Sequence, residues 1–594
     1  MADRRLLINA IAEMAENPEQ LEAVQERGHC VVLAGPGSGK TKTLTTAMGR
    51  CILDDVKEPR GIACITYNNE CAMELETRLA RLGIESSDRV FIGTVHSFAL
   101  TQVILPYARC VLPEISSTVR VASRTEMRAA VATAHARVIG GGENPHDRWR
   151  FAETKRRRDV NRSHPVWMER NPELAHFIEA YEAELRTRNL VDFDDMPLLA
   201  FRMIRDHEWI RGALRAKFPI LFVDEYQDLG YALHELVLLL CFEAGVRLFA
   251  VGDPDQSIYA FTGANPELLE SLITRPGVLP IQLRFNYRCG TSIIQAAQAA
   301  LGEDRDYRAP DGAHQGNIFF HPVAGDLSNQ AQLVVDRLVP EMRARSIPLQ
   351  EIAVLYRNAQ HGNEVAQRAT VEGVPIVRAD TQALVRRSSR LSRFIEACAR
   401  WVAGGWIDAD PPFRRLVSNA SVLIYGGSTS EEEQRRVQKE LIEFLQSTID
   451  TNQSTHEWLR AFRDNLITSW RARARTITED WDAIDEMITR TDPATNSDMP
   501  LTHFGGRIEG QGRLNLSTLH SAKGREFDSV ILFGMNNDIL PNHFDQRTPE
   551  QLREARRLFY VGVTRARKEL HLVFTKGQHS PWVAELSRRT QRQA

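Results

Sequence analysis

Residues Ala34-Gly35-Pro36-Gly37-Ser38-Gly39-Lys40-Thr41 follow the apolar run Val31-Val32-Leu33 and precede a helical stretch from Thr43 to Ile52. A strand, a glycine-rich loop and a helix in that order make a phosphate cradle. The glycines let backbone N–H groups turn inward, and the helix N-terminus adds partial positive charge. Ala34 stands where the general pattern has its first glycine. In this pattern Lys40 holds the β- and γ-phosphates and Thr41 a magnesium ion.

Such a loop emerges from the C-terminal end of a strand in a parallel sheet, and the chain supplies one. Gly61-Ile62-Ala63-Cys64-Ile65, Ile220-Leu221-Phe222-Val223 and Arg247-Leu248-Phe249-Ala250-Val251 are short apolar runs separated by helix-like sequence. That is the pattern of strands buried on both faces of a doubly wound sheet. Between about residues 99 and 191 the sequence turns helical and charge-rich, and includes Lys155-Arg156-Arg157-Arg158. Strand rhythm resumes at Ile281-Gln282-Leu283, Asn317-Ile318-Phe319-Phe320 and Ile352-Ala353-Val354-Leu355. A second helical, Arg-rich stretch, roughly 386–505, precedes Leu514-Asn515-Leu516, Val530-Ile531-Leu532-Phe533 and Leu570-His571-Leu572-Val573.

The 594 residues are about four single-domain lengths. The expected fold class is α/β: two parallel-sheet domains, each interrupted by a helical insertion. The first domain is expected over 1–98 and 192–278 with its insertion at 99–191. The second is expected over 279–385 and 512–594, with a reduced insertion at 386–511.

A nucleotide site also needs acids at the end of a neighbouring strand, and Val223-Asp224-Glu225-Tyr226-Gln227-Asp228 supplies them. Asp224 would hold magnesium through Thr41 and water, and Glu225 would orient or deprotonate the attacking water. A nucleotide and Mg²⁺ are therefore the expected cofactors.

Lys plus Arg total 74 against 77 for Asp plus Glu, a net charge of -3. A uniformly basic coat is excluded, so any nucleic acid would have to be held in a locally lined groove. The eight cysteines have no paired spacing, which disfavours a zinc ribbon, an iron–sulfur cluster or a disulfide framework and predicts reduced core thiols. The longest apolar run, Leu236 to Phe242, is far below a membrane span. Glu13 and Glu16 interrupt the apolar start of the chain. A cytoplasmic protein with no membrane partner is expected.

Further segments follow in order. Asn17-Pro18-Glu19-Gln20 looks like an adenine-reading Q motif, and Ile65 to Asn68 and Gly93 to Phe98 look like motifs Ia and Ib. VGDPDQSIYAFTGA from Val251 to Ala264 and LRFNYR from Leu283 to Arg288 look like motifs III and IV; LSTLHSAKGREF from Leu516 to Phe527 and RRLFYVGVTRAR from Arg556 to Arg567 look like motifs V and VI. Together these resemble superfamily 1A DNA helicases of the UvrD/Rep/PcrA family. The resemblance implies two RecA-like domains and an ATP-dependent helicase or translocase moving 3′ to 5′ on single-stranded DNA.

The resemblance also implies roles. Arg288 and Arg565 would approach the transferred phosphoryl group from the second domain, where developing charge needs a cation. Gln256 would sense the γ-phosphate, Tyr287 would stack on adenine and Glu526 would contact the nucleotide sugar. With Lys40, Asp224 and Glu225, the residues Gln256, Arg288 and Arg565 form the expected catalytic set. Gln20 joins Ala34, Gly35, Pro36, Gly37, Ser38, Gly39, Lys40 and Thr41 in holding the nucleotide. Tyr67, Asn68, Thr94, His96, Phe98, Tyr259, Phe261 and His520 would line the DNA channel, where aromatic faces accept any base.

There are departures from the family pattern. Phe261-Thr262-Gly263 stands where Trp and then Arg are common, Lys42 where Arg is usual, and Pro254 where an acidic or small residue is usual. They predict intact hydrolysis and an altered grip on DNA. The basic groups at 155–158, at Arg386, Arg387, Arg390 and Arg393, and at Arg471, Arg473 and Arg475 are candidates for duplex DNA, a protein partner or a solvated face.

Single-stranded and forked DNA are the expected partners, in repair, recombination or anti-phage defence. A compact chain of this kind also resembles the helicase subunit of Gabija-type anti-phage systems, which implies a separate nuclease subunit. The alternative is a nucleic-acid-gated ATPase switch that regulates a partner nuclease without unwinding. A nucleotide kinase or GTPase would explain the phosphate loop and leave the other motifs unused.

Overall fold

The computed structural model describes residues 4–591 apart from 85–88, 116–118, 163, 261–262, 304, 387–388, 426–428, 450–452, 475–480, 495–498 and 506–511. Its backbone is organised by two six-stranded sheets and a two-stranded one. In chain order the strands are β1 His29–Ala34, β2 Ile62–Thr66, β3 Val90–Thr94, β4 Arg120–Val121, β5 Leu190–Val191, β6 Ile220–Val223, β7 Arg247–Gly252 and β8 Val278–Leu283, followed by β9 Asn317–Val323, β10 Ile352–Tyr356, β11 Ile376–Ala379, β12 Leu514–Thr518, β13 Phe527–Leu532 and β14 Ala566–Thr575. The first sheet runs β3-β2-β6-β7-β1-β8 and the second β11-β12-β10-β13-β14-β9, with every pairing parallel. These are the two RecA-like parallel-sheet units that the phosphate loop and the apolar runs predict.

Alternation along each strand explains the continuous apolar runs. In the first sheet Val31, Ala63, Leu221, Leu248 and Ala250 enter one core, while Cys30, Val32, Cys64, Phe222 and Phe249 enter the other. The second sheet divides likewise, with Ala353, Leu355, Val530 and Leu570 on one side and Val354, Leu516, Ile531 and Val573 on the other. Burial at about 25 cal/mol per Å² on both faces makes these sheets the rigid base from which the loops project.

Two corrections concern strands. Ile281-Gln282-Leu283, expected to begin the second domain after 278, lies in β8 and pairs with β1, Val32 opposite Ile281 and Ala34 opposite Leu283. The first sheet therefore runs to Leu283, and the chain leaves it only at the segment bearing Tyr287 and Arg288. The apolar runs do not reveal β3, β4, β5 and β11: β3 holds Gly93, β4 and β5 are two residues each, and β11 is half-exposed with an arginine in it.

Helices fill both insertions. Those between Arg124 and Thr187 pack around Trp149, Trp167, Phe177 and Tyr181, and those between Arg390 and Phe504 around Trp458, Phe462 and Trp470. All eight cysteines are free, six of them buried, but Cys110 is exposed and Cys71 half-exposed, so the expectation of core thiols fails for those two. No helix is long and apolar enough to cross a membrane among the described residues.

Candidate functional site

The phosphate loop leaves β1 and enters the helix Lys40–Arg50 through Gly39. Gly37 and Gly39 have φ of +71° and +85°, which an L side chain adopts only with strain. Space matters as much, because a Cβ at Gly37 would overlap Asn286 and Arg288, and one at Gly39 would overlap Gln20. The loop is laced internally by Ser38 Oγ donating to the Gly35 carbonyl at 2.7 Å. Gln20 Nε2 donates to the Ser38 carbonyl at 2.9 Å, placing the side chain of the Q-like segment against the loop.

Beside Gln20, Asn17 caps the helix Pro18–Gln25 and donates from Nδ2 to the Tyr287 hydroxyl at 2.8 Å. The Tyr287 N–H donates to the Gly37 carbonyl at 2.9 Å. Tyr287 is 50% exposed although held at both ends. Its half-exposed ring lies next to the Asn17 amide side chain.

The acids stand at the end of β6. Glu225 has φ +51° and ψ 47°, a left-handed conformation that costs a non-glycine residue about 1–3 kcal/mol. Its carboxylate lies 3.5 Å from Lys40 Nζ and 3.7 Å from Lys523 Nζ and accepts from Gln227 Nε2. Burial opposes its charge, but Lys40 and Lys523 prevail and hold its pKa down to about 2. Asp224 behaves oppositely. It is 5% exposed, and burial, then Glu225, push its pKa up to about 7.

A buried carboxylate with no ion pair of its own among the described residues fits a divalent cation. Thr41, the first-turn hydroxyl of the loop helix, and Asp224 would hold it, and it would supply charge stabilisation to the phosphates.

The second sheet reaches across. Arg565, 1% exposed, donates from Nη2 to Gln256 Oε1 at 3.4 Å, and burial, then Arg288, lower its pKa to about 10. It stays charged at neutral pH and reaches the turn Pro254–Gln256 that follows β7 of the first sheet. Gln256 is fixed from the other side, its Nε2 donating to Asp253 Oδ2 at 2.6 Å. Arg288 Nε pairs with Glu526 at 2.5 Å. Two residues outside the expected set belong here. Lys523 donates to Asp228 at 2.5 Å and to the Gln256 carbonyl at 2.7 Å, crossing between the sheets. The signal was present, because Lys523 lies inside the LSTLHSAKGREF run and Asp228 is the third acid of its segment.

The aromatic residues converge in part. Tyr67 and Tyr259 stack, centroids 5.1 Å apart; Lys523 Nζ is 5.3 Å over the Tyr259 ring, and the Tyr259 hydroxyl donates to the His520 carbonyl at 3.2 Å. Burial pushes His520 down to about 4, so it is neutral at pH 7. His96, also lowered by burial, lies 5.3 Å from the Phe193 ring. Asn68 and Thr94 act as helix caps, accepting from the N–H groups of Cys71 and Ser97.

Phe98 corrects an expectation. It is 2% exposed and packs edge-on against Phe91 at 5.5 Å, leaving no face for a base. Phe261, Arg387 and Arg475 lie outside the described residues.

The basic run 155–158 is also corrected. Lys155 and Arg156 are buried, Lys155 donating to the Arg170 carbonyl at 2.7 Å. Arg156 pairs with Glu182, Asp192 and Asp195 at 2.9, 2.8 and 3.3 Å. Arg157 and Arg158 pair with Asp194 and Asp159. Arg386 and Arg471 pair with Glu486 and Asp482, Arg473 pairs with Glu440, and Arg390 donates to Asn69 at 3.1 Å. The ion pairs of Arg156, Arg157, Arg158, Arg386, Arg471 and Arg473 cancel charge locally.

Comparison with known proteins agrees with this geometry. Residues 16–276 match the model of the UvrD/REP helicase N-terminal domain, and residues 505–577 that of the UvrD-like helicase C-terminal domain. The chain is 26% identical to the ATP-dependent DNA helicase Rep of Escherichia coli (strain K12), over 95% of this chain and 91% of that protein. It is 25% identical to the ATP-dependent DNA helicase PcrA of Leuconostoc citreum, over 94% and 81%. It is 26% identical to DNA helicase II of Escherichia coli (strain K12), over 94% and 84%. Both ends of the cleft, the phosphate loop with Glu225 in the first matched region and Lys523 with Arg565 in the second, thus fall within one family's models, and the chain belongs to the UvrD/Rep helicase family.

Proposed function

We propose that this chain is an ATP-driven motor on single-stranded DNA, moving 3′ to 5′ and separating duplex ahead of it. One observation supports this most. Gln256 accepts from Arg565, and three residues further on Tyr259 stacks on Tyr67, so a single short loop touches both the nucleotide cleft and a base-sized aromatic platform. Lys40 and Thr41 hold the phosphates and magnesium with Asp224, Glu225 handles the water, Arg288 and Arg565 stabilise the transferred charge, and Tyr67 and Tyr259 carry the bases. The relatives' description as ATP-dependent DNA helicases points the same way, and the direction of travel rests on the family resemblance.

In domain terms, the proposed motor comprises the two sheets and two helical insertions set between residues 99–191 and 386–511. Strand displacement tests the reading. A duplex with a 3′ tail should be unwound with ATP and one with a 5′ tail should not, and Lys40→Ala or Glu225→Gln should abolish both hydrolysis and unwinding. Hydrolysis stimulated by DNA with neither displacement nor translocation would instead support the ATPase switch. Repair or recombination and phage defence are both compatible settings for such a motor. A nuclease encoded beside it and co-purifying with it would favour defence, and rescue of a repair-deficient strain by this chain alone would favour repair.

A further inference from the structure

We propose that Arg305 is a positioning residue that ties the nucleotide-sensing turn to the segment bearing Tyr287 and Arg288, so that sensing and domain closure are one movement. The inference rests on the motor reading above. Arg305 grips Asp255 with its fork, Nε to Oδ2 at 2.7 Å and Nη2 to Oδ1 at 2.9 Å, and also pairs with Glu303 at 2.6 Å. Asp255 is 5% exposed. Its N–H donates to Asp253 Oδ1 at 3.0 Å, while Gln256 donates to the other oxygen of the same carboxylate at 2.6 Å. Pulling on Asp255 therefore pulls on the side chain that Arg565 contacts.

The other end of the connection is equally fixed. The Arg305 carbonyl accepts from Gln298, which lies on the helix Thr291–Leu301. Three residues on, Arg308 pairs with the Phe285 segment: its N–H donates to the Arg284 carbonyl at 2.9 Å and its carbonyl accepts from Asn286 at 2.8 Å. Asn286 Oδ1 in turn accepts from the Arg288 N–H at 2.9 Å. Between them, Tyr307 covers the back of the phosphate loop so closely that a Cβ at Gly35 would overlap its ring. Four consecutive residues thus touch the sensing turn, the phosphate loop and the arginine-bearing segment.

The contact is not a by-product of packing. It spans a cleft of about 900 Å³ between the sheets, lined by Asp253, Asp255, Arg305 and Tyr307, and it grips Asp255 while Lys523 and Arg565 hold the neighbouring Gln256 and Glu554 accepts from the Ala260 N–H at 2.9 Å. A forked guanidinium fixes orientation as well as distance, which a lysine ammonium does not.

The test compares wild type with Arg305→Ala, Arg305→Lys and the charge-reversed pair Arg305→Asp with Asp255→Arg. The readouts are ATP turnover with and without a single-stranded oligonucleotide, its Kd by anisotropy, and the melting temperature. In Arg305→Ala and Arg305→Lys, turnover without DNA and the Kd should stay within about twofold, while the DNA-stimulated rate falls at least about fivefold, the low end of coupling between linked sites. The charge-reversed pair should recover part of that loss. Wild type stimulated by DNA, with Arg305→Lys melting normally and stimulated as strongly, would overturn the role of Arg305 alone. Absence of stimulation in wild type would overturn the motor reading itself.

Discussion

Lys523 and Glu225, which belong to different sheets, sit 3.7 Å apart, and Lys40 closes on the same carboxylate from the other side at 3.5 Å. Two cations on one carboxylate keep it ionised. Replacing Lys523 by Ala should move the acid limb of the pH–rate profile upward, since Glu225 loses one of the charges that hold its pKa near 2. It should also lower DNA-stimulated turnover by about 10²-fold, the typical effect of losing one preorganised charge contact. An unchanged acid limb would show that Lys523 does not act on Glu225.

Asp224 contributes to the pH dependence of stability. Its folded pKa of about 7 lies above the ordinary 3.8, so between those values the folded chain holds a proton that the unfolded chain has released. Its stabilising contribution is complete below about pH 4 and is lost as pH rises through 7, at up to about 1.4 kcal/mol per pH unit. Denaturant melts of nucleotide-free protein from pH 6 to 8 should show this decline, and Asp224→Asn should reduce it without removing it, because burial also raises Asp228 and Asp253 to about 6.

The aromatic residues separate by burial. Tyr259→Ala should weaken single-stranded DNA binding by about 1–3 kcal/mol with little change in melting. Phe98→Ala should leave the DNA Kd of the folded protein unchanged and cost about 3–5 kcal/mol of stability, as for other core aromatics. Anisotropy and denaturant melts on the same preparations distinguish them.

Arg156 provides the opposite case to a DNA-binding arginine. Arg156→Met would leave Glu182, Asp192 and Asp195 without a cation they share, a loss of about 3–5 kcal/mol for a broken buried pair. The salt dependence of DNA binding should not change, because no phosphate contact is removed. A shallower salt slope in this variant would return the basic run to the DNA interface.

Much of this was legible in the sequence. The phosphate loop and the apolar strands are local signals, and β1, β6, β7, β10 and β14 lie where their apolar runs place them. What was not legible depended on contacts between distant segments. Nothing within Lys155-Arg156-Arg157-Arg158 shows that its acids come from 182–195, and Phe98 reads as a channel residue until Phe91 and Phe218 are seen to cover it. Strand β8 reads as the start of the second sheet because its partner β1 lies about 250 residues earlier in the chain. Lys523 lies within the LSTLHSAKGREF run, but only the fold brings it to Asp228.

The most direct measurement is steady-state ATP hydrolysis titrated with a single-stranded oligonucleotide, in wild type, Lys40→Ala and Arg565→Ala. Wild type should be stimulated at least about tenfold, Lys40→Ala should be inactive, and Arg565→Ala should lose about 10³-fold or more of the stimulated rate, as for other arginines that stabilise phosphoryl transfer. A wild-type rate that is the same with and without DNA at every salt concentration would contradict a nucleotide cleft coupled to single-stranded DNA.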